Sequence, residues 1–125
     1  MPAPPLFKRH WRDYHSESAN RPVKEFLSGL APEHYREVVA AMKDVAQNGL
    51  SVARHLQGDR YKDLWEVRAD CGNVTYRVLF SPEARFNHVL LSLHAFGIKT
   101  QQTPRRDLEV ALARLADWHR QGQSG

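Results

Sequence analysis

A single cysteine, Cys71, excludes an intramolecular disulfide, and nothing in cysteine usage argues for secretion. Long apolar runs are also missing. None approaches the ~20 residues needed to span a bilayer, and the proline-rich start, Met1 to Pro5, leads into Lys8, Arg9 and His10 rather than into an apolar segment, so it does not read as a signal peptide. No membrane association is expected, and the chain reads as cytoplasmic. Histidine is plentiful at seven residues, yet His10, His15, His34, His55, His88 and His119 show no HxH or HExxH spacing, so neither metal nor cofactor is expected. Internal repeats are absent, and only the ends, 1–9 and 121–125, are expected to be loose.

What is present is an apolar fraction of 42%, enough for a packed core, in 125 residues, the size of one domain spanning 1–125. Eighteen Lys and Arg against fourteen Asp and Glu give a net charge of +4. That balance is compatible with a nucleic-acid partner without requiring one.

His10 to His15 reads as a short strand with Trp11 and Tyr14 as its bulky members. Pro22 suits the first position of a helix, where its missing N–H is no loss; Val23, Phe26 and Leu27 would share a face ending near Gly29. A second helix begins at Pro32. Tyr35, Val38, Val39, Met42, Val45 and Ala46 recur at three and four, one helical stripe, and Asn48-Gly49 closes it. Three strand patterns follow. In the first two, Trp65, Val67 and Ala69, then Tyr76, Val78 and Phe80, alternate with polar residues around the turn Asp70-Cys71-Gly72-Asn73. After a loop at Ser81–Arg85, the third has Val89, Leu91, Leu93 and Ala95 on one side. A last helix is predicted with Thr103 as cap, Pro104 as first residue, and a stripe of Leu108, Ala111, Leu112, Leu115 and Trp118.

If these three apolar sets face the helices, Glu66, Arg68, Arg77, Ser92 and His94 converge on the opposite face; a bulge in any strand would break that parity. Arginine inside a sheet is costly unless one face meets something anionic, so this face reads as phosphate-handling. Arg105 and Arg106 at a helix N-terminus oppose the macrodipole by a few tenths of a kcal/mol or more; either a bound anion relieves this or both side chains point away into solvent. Glu66 and Arg77 leave two readings open: a catalytic pair, or a cross-strand ion pair.

Leu-Trp-Glu-Val-Arg at 64–68, Tyr-Arg-Val-Leu-Phe at 76–80, Leu-His-Ala-Phe-Gly-Ile-Lys-Thr-Gln-Gln-Thr-Pro at 93–104 and Arg-Pro-Val-Lys-Glu-Phe-Leu at 21–27 stand in this order. Together they resemble the HigB-like, phage-derived branch of the RelE/ParE toxin superfamily. The resemblance implies an α+β, RelE-like fold: two N-terminal helices on a small twisted antiparallel sheet of three to four strands, with a C-terminal helix. It also implies the toxin of a type II toxin–antitoxin system, neutralised by a cognate helix-turn-helix antitoxin and reaching operator DNA only through it. RelE and HigB relatives cleave messenger RNA, usually in the ribosomal A site. ParE relatives inhibit gyrase and cut nothing. By position, Arg68 matches the arginine closing the family's first strand motif, Arg77 stands where RelE-like nucleases keep a phosphate-binding arginine, and Lys99 matches the family's basic segment. Ile98 and Gln102 stand where relatives commonly carry lysine, and Leu64 and Glu66 where some carry catalytic lysines, which keeps a degenerate toxin among the alternatives.

Metal-independent RNA cleavage uses the 2′-OH as nucleophile and needs a base, an acid and positive charge at the phosphorane. Arg77 and Arg68 are the expected phosphate ligands, with Glu66 the alternative base; His94 is either the proton-transfer group or a structural histidine. Lys99, Arg105 and Arg106 are expected to bind RNA, and Phe96, by strand parity, is either a base-stacking aromatic or part of the core.

Overall fold

A computed structural model describes residues 9–99 and 102–122 of the chain. Most of the two ends expected to be loose, and Thr100 and Gln101 of the resemblance motif, therefore lie outside the described residues. The elements are β1 (His10–Asp13), α1 (Pro22–Ser28), α2 (Pro32–Asn48), β2 (Arg54–His55), β3 (Trp65–Cys71), β4 (Val74–Glu83), β5 (Val89–Ile98) and α3 (Arg105–Arg120). The class is α+β, as expected. The sheet is larger than predicted: five strands in the order β1-β5-β4-β3-β2, mixed rather than antiparallel because β1 runs parallel to β5.

Both predicted helices begin at their prolines, and Gly49 ends α2 with φ +88°, its N–H bonded to the Val45 carbonyl. Tyr35, placed in the buried stripe, is instead exposed, while Val38, Met42 and Val45 are buried. The β3–β4 hairpin closes through Gly72 and Asn73, Gly72 supplying the positive φ. β4 runs through the predicted loop as far as Glu83. Pro82 is accommodated because pairing with β3 stops at Phe80, so no partner on that side needs its missing N–H.

The sheet lies between two layers. On one face Val67, Ala69, Val78, Phe80, Leu90 and Ala95 pack beneath α1 and α2. The other face was expected to meet solvent. It is covered by α3, and Leu79, Leu91, Leu93 and Phe96 form a second core with Ala111, Leu115 and Trp118. A helix with an apolar stripe must bury it, and the uncovered sheet face is where α3 does so.

The predicted parity of β5 also fails along half its length. Leu79 stands opposite His94 but Phe80 opposite Ser92, so Leu93 is an extra, bulged residue. Leu91 and Leu93 therefore join the α3 side and Leu90 the α1/α2 side. Ser92 leaves the expected cluster. Its hydroxyl donates to Asp13 Oδ1 at 2.8 Å and ties β5 to β1.

Candidate nucleic-acid interface

On the α3 side, cross-strand neighbours fall in rows. Arg68, Arg77 and Phe96 form one row across β3, β4 and β5; Arg54, Glu66, Leu79 and His94 form the next across four strands. Period-2 geometry thus does bring Glu66, Arg68, Arg77 and His94 to one face. Their exposure differs from expectation.

Glu66 and Arg77 are fully buried, each 0% exposed. Arg77 Nη1 lies 3.2 Å from Glu66 Oε1 and 3.4 Å from Oε2. Thr103 completes the knot: its hydroxyl donates to Glu66 Oε2 at 2.6 Å and accepts from Arg77 Nη1 at 2.6 Å. One hydroxyl can do both, having a proton and lone pairs. Thr103 is therefore not the helix cap predicted. Pro104 takes that position, its carbonyl accepting from the Asp107 and Leu108 N–H groups. Glu66 and Arg77 do form an ion pair between β3 and β4, and it is sealed rather than solvated. Two desolvated charges persist only when tightly paired and hydrogen-bonded.

His94 is held on all sides. Its Nε2 donates to Asp107 Oδ1 at 2.7 Å, Arg114 Nη1 stands 3.2 Å from Nδ1, and its ring stacks on Phe96 with centroids 5.1 Å apart. Arg114 also donates to the Leu93 carbonyl at 2.8 Å. Burial is the largest effect lowering the His94 pKa below its ordinary 6.5, and the Arg114 charge adds to it; Asp107 opposes both. Arg114 can only donate, so Nδ1 accepts and Nε2 carries the ring proton. Phe96, read as either a base-stacking aromatic or part of the core, is buried in the second core.

Exposed cations include Arg68, opposite Arg77, Arg54 on β2, Lys99 just after β5, and Arg105 and Arg106 at the start of α3. Arg54 Nη1 is 4.0 Å from Glu66 Oε1 with over half its side chain exposed. An open cleft of about 180 Å³ lies beside it, lined by Arg54, Gln57, Tyr61, Gln102, Thr103 and Leu108. The cleft continues past Thr103 to Pro104 and Arg105. At its edge Tyr61 donates its hydroxyl to Glu109 Oε2 at 3.0 Å, and Arg60 grips the same carboxylate through two nitrogens. That grip holds Glu109 at a pKa of about 2.

Arg54, Tyr61, Asp107 and Arg114 were missed. For Asp107 a signal existed. It stands four residues before Ala111, eight before Leu115 and eleven before Trp118, on the buried stripe of α3 where a carboxylate needs a partner. For Arg54 and Tyr61 there was none, since the segment between α2 and β3 holds only a two-residue strand and short turns.

The family model described as "Phage derived protein Gp49-like (DUF891)" matches residues 25–116, from α1 almost to the end of α3. The chain belongs to this family. Gp49-like proteins are associated with toxins of the RelE and HigB type. The search of curated proteins finds no match. Among the described residues of this Gp49-like chain no helix is long and apolar enough to cross a membrane.

Proposed function

We propose that this Gp49-like protein is the toxin of a type II toxin–antitoxin pair and an endoribonuclease acting on messenger RNA. The observation supporting it is the set of exposed guanidiniums around the buried knot. Arg54 lies 4.0 Å from Glu66, Arg68 stands opposite Arg77, and Arg105 follows Thr103 by two residues. In this reading Arg68 contacts the scissile phosphate. Guanidinium offers two parallel hydrogen bonds and does not deprotonate, and a preorganised cation there can supply about 3–4 kcal/mol of transition-state stabilisation. Lys99, Arg105 and Arg106 hold the flanking backbone. Glu66 and Arg77 are structural in this reading: they tie β3 and β4 to Thr103 beneath the outer arginines and do not touch RNA. His94, neutral and bonded at both nitrogens, anchors α3. The partner is a small helix-turn-helix antitoxin that screens the basic rim. The messenger RNA is met in the ribosomal A site.

Transcript 5′-end mapping after induction, with and without the neighbouring reading frame, tests this directly. New 5′ ends should appear within minutes without the antitoxin. Arg68→Ala should cut their yield at least tenfold at unchanged melting temperature. DNA-damage signalling with uninterrupted translation would contradict the reading and point to a ParE-like gyrase inhibitor.

One observation favours a second reading. Glu66, Arg77 and His94 are all engaged with one another or with α3. A toxin fold that retains antitoxin binding but no cleavage would leave transcripts intact when expressed alone.

A further inference from the structure

We infer that the cleft between β2, the Asp59–Tyr61 turn and the start of α3 is a base-reading subsite for one unpaired nucleotide of an RNA strand. The inference deepens the proposed RNA activity and rests on that reading for its physiological ligand. The cleft has three parts. Half-buried Tyr61 and Leu108, both packed against the second core, form an apolar wall. Gln57 and Gln102 line the same space as polar amides; Gln57 Nε2 donates to the His55 carbonyl at 3.5 Å, leaving its amide oxygen to accept from a base edge. Arg54 lines one end and Arg105 the continuation at the other, so the backbone phosphates on either side of a seated nucleotide both meet a cation.

Two features make this a prepared surface. Tyr61 is immobilised at its hydroxyl by Glu109, which Arg60 holds in turn, so the ring is set before any ligand arrives. Arg54 stands 4.0 Å from Glu66, which is itself fixed by Arg77 and Thr103. At about 180 Å³ the inner part suits one flat ring system rather than a stacked pair. An aromatic wall, amides at the rim and flanking cations are the means by which single-stranded RNA is read. Charge complementarity favours this occupant: the cations lining the cleft are Arg54 and Arg105, whereas the carboxylate of Glu109 is already gripped by Arg60.

The test is amide chemical-shift titration of the isolated protein with the four nucleoside monophosphates, inorganic phosphate and a glutamate-rich peptide. We expect base-dependent shifts at Tyr61, Gln102 and Leu108, with at least a fivefold spread in affinity among the four bases. Tyr61→Leu, which keeps apolar bulk and removes the ring, should collapse that spread while the response to phosphate at Arg54 and Arg105 survives. Equal responses to phosphate and to all four nucleotides would mean a plain anion site and overturn the inference. So would no response at these residues, or a response to the acidic peptide alone. Cleavage mapping separates the two readings: new transcript ends with unaltered base preference in Tyr61→Leu would sink the subsite and leave the nuclease standing. Base-dependent titration without new ends would do the reverse.

Discussion

Beneath α1 and α2 the central strands present Val67, Ala69, Val78 and Phe80; beneath α3 the same strands present Glu66, Arg77, Leu79 and, from β5, His94. Both faces are buried. The first depends on apolar area, which is non-directional and tolerates changes that conserve volume. The second mixes apolar packing with charged groups whose partners are individually specified, so each depends on a particular neighbour. Under the proposed function the contrast divides scaffold from working surface. The apolar face is scaffold, and the polar face carries its cations outward past a fixed internal knot.

Removing one member of the knot should expose this difference most strongly. Arg77→Ala leaves Glu66 buried without its guanidinium and is expected to cost about 3–5 kcal/mol in chemical denaturation. A Val78→Ala change on the other face should cost less, roughly 1–3 kcal/mol, through lost apolar burial alone. Thr103→Val removes a hydroxyl and leaves both charges one hydrogen bond short, worth about 1–3 kcal/mol. This loss should be accompanied by weakened RNA binding, because the same residue lines the cleft.

Acid should also separate the faces. The His94 pKa is lowered in the folded protein, so as pH falls below the ordinary 6.5 the unfolded chain takes up the proton first. Stability due to this site is complete above that pH and declines as pH falls toward the folded pKa. Melting temperature should drop between pH 7 and 5.5 in the native chain and less so in His94→Gln. The smallest stability effect is expected at the rim. Arg68→Ala should stay within about 0.5 kcal/mol, as exposed charges do, while losing most toxicity.

Where side-chain period alone decides, the fold was legible in advance: the proline starts of α1 and α2, the α2 closure at Gly49, the β3–β4 hairpin and most of the buried stripe of α3. Three things were not. The bulge at Leu93 inverts the faces of half of β5, and nothing in the residue pattern marks it. The placement of α3 over the second face is a tertiary choice, and it turned an expected solvent-facing cluster into a core. Thr103 before Pro104 carries a helix-start signature, but satisfying Glu66 and Arg77 matters more than capping an exposed N-terminus. The candidate site was thus half legible. The shared face of Glu66, Arg68, Arg77 and His94 was legible, while the burial of Glu66 and Arg77, and the cleft at Arg54 and Tyr61, followed from packing.

The division between buried knot and exposed rim is tested most directly by replacing both buried charges at once, Glu66→Leu with Arg77→Met, and measuring transcript cleavage beside melting temperature. Well-packed apolar residues can substitute for a sealed ion pair at little or no cost in stability. The account predicts a folded protein that still cleaves to within about threefold of the native chain, against a tenfold or greater loss for Arg68→Ala. A double variant that melts like the native chain yet cuts nothing would show that Arg77 touches RNA itself, and would contradict the account.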